Sequence, residues 1–160
     1  IVAVISDQKD AAVLERAHKA RIETFTIPML PDRTQWDREL ETLIAALKPD
    51  LVVSAGFMRI LSERITSRFK IINSHPALLP LFPGAHAVRD ALAAGATETG
   101  TTIHWVDAGV DTGKVIAQER VEIRPEDTEE SLHERIKIVE RGLIVATIAS
   151  LLTSLEKVNG

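Results

Sequence analysis

The chain opens on Ile1-Val2-Ala3-Val4-Ile5, five apolar residues without polar alternation. A strand of that kind has to be covered on both faces, as in a parallel sheet flanked by helices. The following segments supply that cover. Over residues 10–20, Val13, Leu14 and Ala17 fall on one helical face. Residues 22–27, Ile-Glu-Thr-Phe-Thr-Ile, alternate as a strand and stop at Pro28, and 28–33 reads as a loop. Thr34-Gln35-Trp36-Asp37 has capping-box spacing, and Trp36, Leu40, Leu43, Ile44 and Leu47 form a 3.6-period stripe ending at Lys48-Pro49.

Asp50 to Gly56 reads as a buried strand running into a glycine turn, 62–69 as a short helix, and Ile71-Ile72-Asn73-Ser74-His75 as a strand ended by Pro76. Between Pro76 and Ala87 three prolines and a glycine leave a loop about a dozen residues long, and such loops usually carry function. A helix follows at 87–94, then strands at 100–106 and 114–123. Asp127 with Glu130 should cap a long terminal helix, whose half from Leu143 to Leu155 is apolar on most sides and is expected to be buried. The alternation predicts a single α/β domain over residues 1–160, with a mostly parallel sheet and helices on both faces.

At 160 residues and 45% hydrophobic composition the core needs neither metal nor disulfide. Cysteine is absent, which excludes a thiol nucleophile, a zinc finger and a disulfide framework and fits a reducing, cytoplasmic compartment. The net charge of −4 argues against general attraction to nucleic acid or an anionic membrane. No uninterrupted apolar run reaches the ~18 residues of a membrane span. The expected partners are therefore neither nucleic acid nor membrane.

In open α/β sheets ligands sit beyond the carboxyl ends of strands. Three strand ends carry polar clusters: Ser54 to Arg59, Asn73-Ser74-His75-Pro76, and His104 to Asp107 with Asp111-Thr112-Gly113 just after. Asn73 and His75 are two apart and project to one side of a strand. An amide beside an imidazole suits acyl chemistry, because the amide can donate to an oxyanion while the imidazole exchanges a proton. From two residues alone, polar groups that merely satisfy a turning strand end are the more economical reading. Asp111-Thr112-Gly113 matches the triplet of aspartic proteases, but that mechanism needs two carboxylates sharing a proton and the chain has one such triplet. An Asp-Thr-Gly turn between strands is the simpler account. His133-Glu134 lacks a second histidine four residues on, where Lys137 stands, so no zinc-binding helix is formed. His18 reads as a solvated surface group, and His86 and His104 could be structural or catalytic. There is no glycine-rich phosphate loop of the GxGxxG or GxxxxGK type.

The combination is more specific than its parts. Ala55-Gly56-Phe57-Met58-Arg59-Ile60-Leu61, Asn73-Ser74-His75-Pro76-Ala77-Leu78-Leu79-Pro80 with Phe82-Pro83-Gly84, and Thr101 to Asp111 with its Gly-Val-Asp together resemble the phosphoribosylglycinamide formyltransferase family of purine biosynthesis. The likeness runs through nearly the whole chain, with motif order and spacing kept. It implies a Rossmann-like fold and transfer of a formyl group from 10-formyltetrahydrofolate to the amine of glycinamide ribonucleotide, without a metal.

By the same resemblance His75 is the catalytic histidine, Asn73 the amide that binds the formyl oxygen, and Asp111 the carboxylate paired with the imidazole. A neighbouring carboxylate favours the protonated imidazole. The resemblance assigns the folate side to Arg33, Met58, Arg59, Ile60 and Leu61 together with Asn73 and Asp111, and the nucleotide side to Pro76, Lys137 and Glu140. Met58 and Leu61 could equally be core, and Lys137 with Glu140 an exposed ion pair. Formyltransferases that act on methionyl-tRNA usually carry Trp-Arg-Gly where Phe82-Pro83-Gly84 stands, and have a further tRNA-binding domain. The deformylase relatives lack Pro83-Gly84-Ala85-His86. The family's first βα unit, with its glycine-rich phosphate loop, has no counterpart, since Ile1 aligns with the family's second strand; an inactive binding fragment is the contrasting reading. The apolar terminal helix would be covered within the chain or by a second copy, leaving a homodimer open.

Overall fold

A computed structural model describes residues 1–159, with side chains to Leu155. Residues from Ile1 to Pro49 and those from Asp50 onward form two compact units, a division that the composition does not mark. In the first, β1 (Ala3–Ser6) and β2 (Glu23–Thr26) pair in parallel, joined through α1 (Ala12–Lys19). α2 (Arg33–Leu47) follows. Its cap is Asp32, not the expected Thr34: the Asp32 carboxylate accepts from the N–H groups of Thr34 and Gln35 at 2.9 and 3.3 Å. Asp32 sits on extended backbone just before the helix, where one carboxylate reaches two free amides. Asp37, the expected partner in the box, is instead engaged by Arg33 Nε at 3.0 Å. The predicted stripe holds at Trp36, Leu40 and Ile44, which are buried, and the Trp36 indole donates to Ile27 O at 3.0 Å.

The second unit contains β3 (Val52–Ser54), α3 (Glu63–Thr66), β4 (Ile71–His75), α4 (Ala87–Ala93), β5 (Glu98–Trp105), β6 (Val115–Glu122) and α5 (Glu129–Asn159). Its strands lie in the order β3-β4-β5-β6. β3 and β4 are parallel, as expected; β4–β5 and β5–β6 are antiparallel, so the α/β fold has mixed sheets. Ile71 and Ile72 of β4 are buried, as their unbroken apolar run requires. Val88 of α4, Val121 of β6 and Leu132 and Ile136 of α5 form one buried cluster.

Two expectations for α5 are corrected. The reciprocal cap joins Thr128 and Ser131, each backbone N–H donating to the other's hydroxyl at 3.0 and 3.1 Å. Asp127 does not cap because its carboxylate is occupied by Arg135, the Ser131 hydroxyl and the Arg124 N–H. The half from Leu143 to Leu155 is not buried either: the core engages Leu132, Ile136 and Val139, and beyond Arg141 only Thr147 is buried among the described residues. Val145 is 65% exposed. By length and composition α5 contains a window apolar enough to cross a membrane, with a mean hydropathy of 1.6; Glu140, Arg141 and small polar residues interrupt it, so no unbroken apolar run betrays it.

The Arg135 guanidinium holds the Asp127 carboxyl well below the ordinary carboxylate range, helped by the Arg124 N–H. A depressed folded value means stability that is present above the unfolded value of 3.8 and is lost as pH falls through the folded one. Asp127→Asn should therefore lower the melting temperature at neutral pH, and the gap to the parent should narrow in acid below that unfolded value. Thermal melts across that range check this, and a gap independent of pH would contradict it.

Candidate active site

The strand period places Asn73 and His75 on one face of β4. In the antiparallel register Asn73 stands opposite His104 and His75 opposite Thr102. Directly opposed residues share a face, so two strands set four polar side chains side by side. The β5–β6 pairing shifts between Ile103 and His104, an irregularity of the kind that re-aims a side chain near a site.

The β5–β6 loop adds a carboxylate. Asp107 Oδ1 accepts from the Gly109 N–H at 3.0 Å and from the Thr112 hydroxyl at 2.6 Å, and that hydroxyl holds the Asp107 carboxyl below its ordinary range. Asp111 adopts a left-handed φ of 54° within this turn. A Cβ at Gly113 would overlap Trp105 O, so the glycine is a packing requirement. Asp111-Thr112-Gly113 is thus a turn that aims one carboxylate. Asp111 Oδ2 lies 3.4 Å from His75 Nδ1 and Oδ1 lies 3.5 Å from His104 Nε2. Its neighbours are imidazoles, not the second carboxylate of an aspartic protease.

The loop after β4 completes the cluster. Thr102, fully buried, donates to Ala77 O at 2.6 Å and accepts from the Leu79 N–H at 3.0 Å and Gln118 Nε2 at 2.8 Å. With the loop pinned there, Phe82 at φ 52° and Gly84 at φ 90° turn the backbone inward. Gly84 N–H donates to Asp111 Oδ2 at 2.8 Å, and Phe82 O lies 2.8 Å from His75 Nε2. A carbonyl only accepts, so that nitrogen carries hydrogen, while the other faces a carboxylate. Both ring nitrogens thus have a partner, the carbonyl at Nε2 and the carboxylate at Nδ1. His75 is 4% exposed. A shielded imidazole that can hold protons on both nitrogens, beside an amide, can serve as general acid and oxyanion donor.

The structure brings together Asn73, His75 and Asp111 of the predicted residues. Pro76 is half-buried directly after His75. Met58 and Ile60 are 71% and 56% exposed on the segment before α3, with Arg59 between them, whereas Leu61 is packed in the core. Lys137 bonds Glu134 Oε1 at 2.7 Å rather than Glu140, and Glu140 is half-buried one turn further along α5. Arg33, in the first unit, lies 4.8 Å over the Trp36 ring. Sequence reasoning left His104 open and did not single out Thr102. The signal was there in Thr102-Ile103-His104, which repeats the polar-x-His spacing of Asn73-Ser74-His75.

Residues 1–148 match the formyl transferase family model. Mycobacterium tuberculosis phosphoribosylglycinamide formyltransferase is 49% identical over 156 residues, covering 95% of this chain and 73% of that protein. The Escherichia coli phosphoribosylglycinamide formyltransferase is 40% identical over 151 residues, covering 92% and 71%. Among solved structures, glycinamide ribonucleotide transformylase 1 from Symbiobacterium toebii superposes with a TM-score of 0.90 at 39% identity, over 92% of this chain and 72% of that one.

Thr102→Val keeps the volume but removes the hydroxyl that pins the loop after β4. Leaving the buried Leu79 N–H and Ala77 O without that partner should cost about 1–3 kcal/mol each in principle, so a loss of roughly 2 kcal/mol or more is expected in denaturant unfolding. Hydrogen exchange at Leu79 and Gly84 should accelerate with it; unchanged stability and exchange would contradict the role given to Thr102.

Proposed function

The chain belongs to the phosphoribosylglycinamide formyltransferase family, and from that premise we propose that Asn73, His75 and Asp111 carry the transfer of a formyl group from 10-formyltetrahydrofolate to the primary amine of 5-phosphoribosylglycinamide, a step of purine biosynthesis. The observation that carries the residue assignment is the convergence of this amide, imidazole and carboxylate at the end of β4.

The folate co-substrate supplies a formyl carbon bonded to a leaving nitrogen. The exposed side chains of Met58 and Ile60 flanking Arg59 suit a flat heterocycle with a carboxylated tail. Leu61 supports this segment from the core. Pro76, Lys137 and Glu140 are assigned to the nucleotide. As the amine adds, a nitrogen–carbon bond forms and negative charge moves onto the formyl oxygen. An Asn73 N–H donates to that oxygen, a donor placed beforehand that contributes about 3 kcal/mol, and His75 Nε2–H joins it by exchanging Phe82 O for the formyl oxygen. The bond to the leaving nitrogen then breaks, and the proton that the former amine gives up is passed by the His75 ring to the leaving nitrogen, so that none is gained or lost overall. Asp111 holds the His75 ring in place through Nδ1. The absence of cysteine supports a reducing, cytoplasmic setting.

Incubating the chain with both substrates should yield formylated phosphoribosylglycinamide. His75→Ala and Asp111→Asn should each reduce turnover by about 10²–10⁴-fold, the range of acid–base catalysis, with melting temperature little changed. Near-parental turnover in either variant would overturn the residue roles. No formyl transfer by the parent would overturn the substrate assignment.

A further inference from the structure

The geometry points to His104 as the positioning residue of this site: its ring dictates which end of the Asn73 amide faces the reacting carbon. The kinetic consequence rests on the formyl-transfer reading; the hydrogen-bond assignment does not. His104 is 2% exposed, stands opposite Asn73 in the β4–β5 register, and follows the irregularity in the β5–β6 pairing.

His104 Nδ1 lies 2.9 Å from Trp105 O. The carbonyl can only accept, so Nδ1 must carry the hydrogen; Asp111 Oδ1 lies 3.5 Å from Nε2, too long for a firm hydrogen bond, and in the neutral ring Nε2 is then a lone-pair acceptor for the nearer Asn73. Asn73 Nδ2 lies 3.3 Å from that nitrogen. Only the nitrogen end of an amide can donate there, so the flip of the Asn73 side chain is set by the tautomer of His104. One Nδ2 hydrogen is held by the ring, and the other remains for an acceptor such as a formyl oxygen. The opposite tautomer would draw Oδ1 to the ring and exchange the places of donor and acceptor.

The control extends one step further back. Trp105 N–H donates to Lys114 O at 2.9 Å, and Gly113 lies so close to Trp105 O that a Cβ would overlap it. The carbonyl is therefore kept in place for the ring. The chain of dependence runs from Gly113 through Trp105 O and His104 to the Asn73 amide. His104 touches no reacting atom in this scheme and acts through Asn73.

The test joins spectroscopy with kinetics on the full chain. In long-range proton–nitrogen NMR spectra at neutral pH, the His104 ring, identified by the signals that vanish in His104→Leu, should be the Nδ1–H tautomer. An Nε2–H or doubly protonated ring would overturn the inference. His104→Leu should lower kcat by about 10- to 100-fold, below the loss of a whole oxyanion donor, with KM for both substrates within about threefold, since a misaimed donor acts in the transition state. His104→Gln, which returns a polar atom toward Asn73, should recover most of the lost kcat. Parental kcat in His104→Leu, an equal loss in both variants, or a loss carried by KM would each overturn it. Should His104→Leu fail to fold, His104→Gln and the parental tautomer decide; should the parent transfer no formyl group, the functional reading fails while the tautomer still decides this inference.

Discussion

The site depends on the antiparallel register of β4 on β5. Because Asn73 is opposite His104 and His75 opposite Thr102, one face of one strand pair carries the amide, both imidazoles and the hydroxyl that anchors the neighbouring loop. A slip by a single residue would turn every one of these side chains to the other face. The register is defended by burial: Ile72 and Ile103, on the face opposite these polar groups, are wholly enclosed, and a slip would put polar side chains in their place. Hydrophobic packing on one side of the strands thus fixes the arrangement of polar groups on the other.

Concentrating polar groups in a shielded place is costly unless each is partnered. Here the partners are largely backbone. Asp111 Oδ2 takes an N–H from Gly84, His75 meets Phe82 O, and His104 meets Trp105 O. Such partners cannot swing away as side chains can, so they preorganise the site without ordering further rotamers. The left-handed φ values at Phe82 and Asp111 show what this requires, since neither residue adopts that conformation without opposing cost. Thr102 on one side and the Asp107–Thr112 contact on the other hold the two loops against it.

Much of this was legible in the sequence where a pattern is local. The apolar run of β4, the stripe of α2 and the polar ends of β4 and β5 follow from period and composition, whereas the opening run is not covered on both faces: β1 begins at Ala3, and Ile1 and Val2 are 94% and 59% exposed. Caps were displaced by one or two residues because carboxylates such as Asp37 and Asp127 were taken by arginines, competition that spacing alone does not reveal. The apolar half of α5 looked like core because hydropathy reports composition, whereas burial depends on which element lies opposite. His104 reads as ambiguous and Thr102 carries no signal of its own for a related reason: their roles come from the partner strand, 31 and 27 residues from Asn73 and His75 along the chain.

The Asp-Thr-Gly triplet shows how far a motif can mislead when read for chemistry before geometry. Taken as a catalytic signature, it demands a second carboxylate. Taken as a turn, it gives each residue a separate physical role. Thr112 closes the loop on Asp107, Gly113 admits the Trp105 carbonyl, and Asp111 accepts the left-handed backbone that directs it to two imidazoles. The glycine then matters most for a hydrogen bond made by a different residue, since the carbonyl it admits is the one that orients His104. What the site requires of that triplet is therefore a backbone path, and the single carboxylate is chemically sufficient because the groups it faces are bases rather than acids.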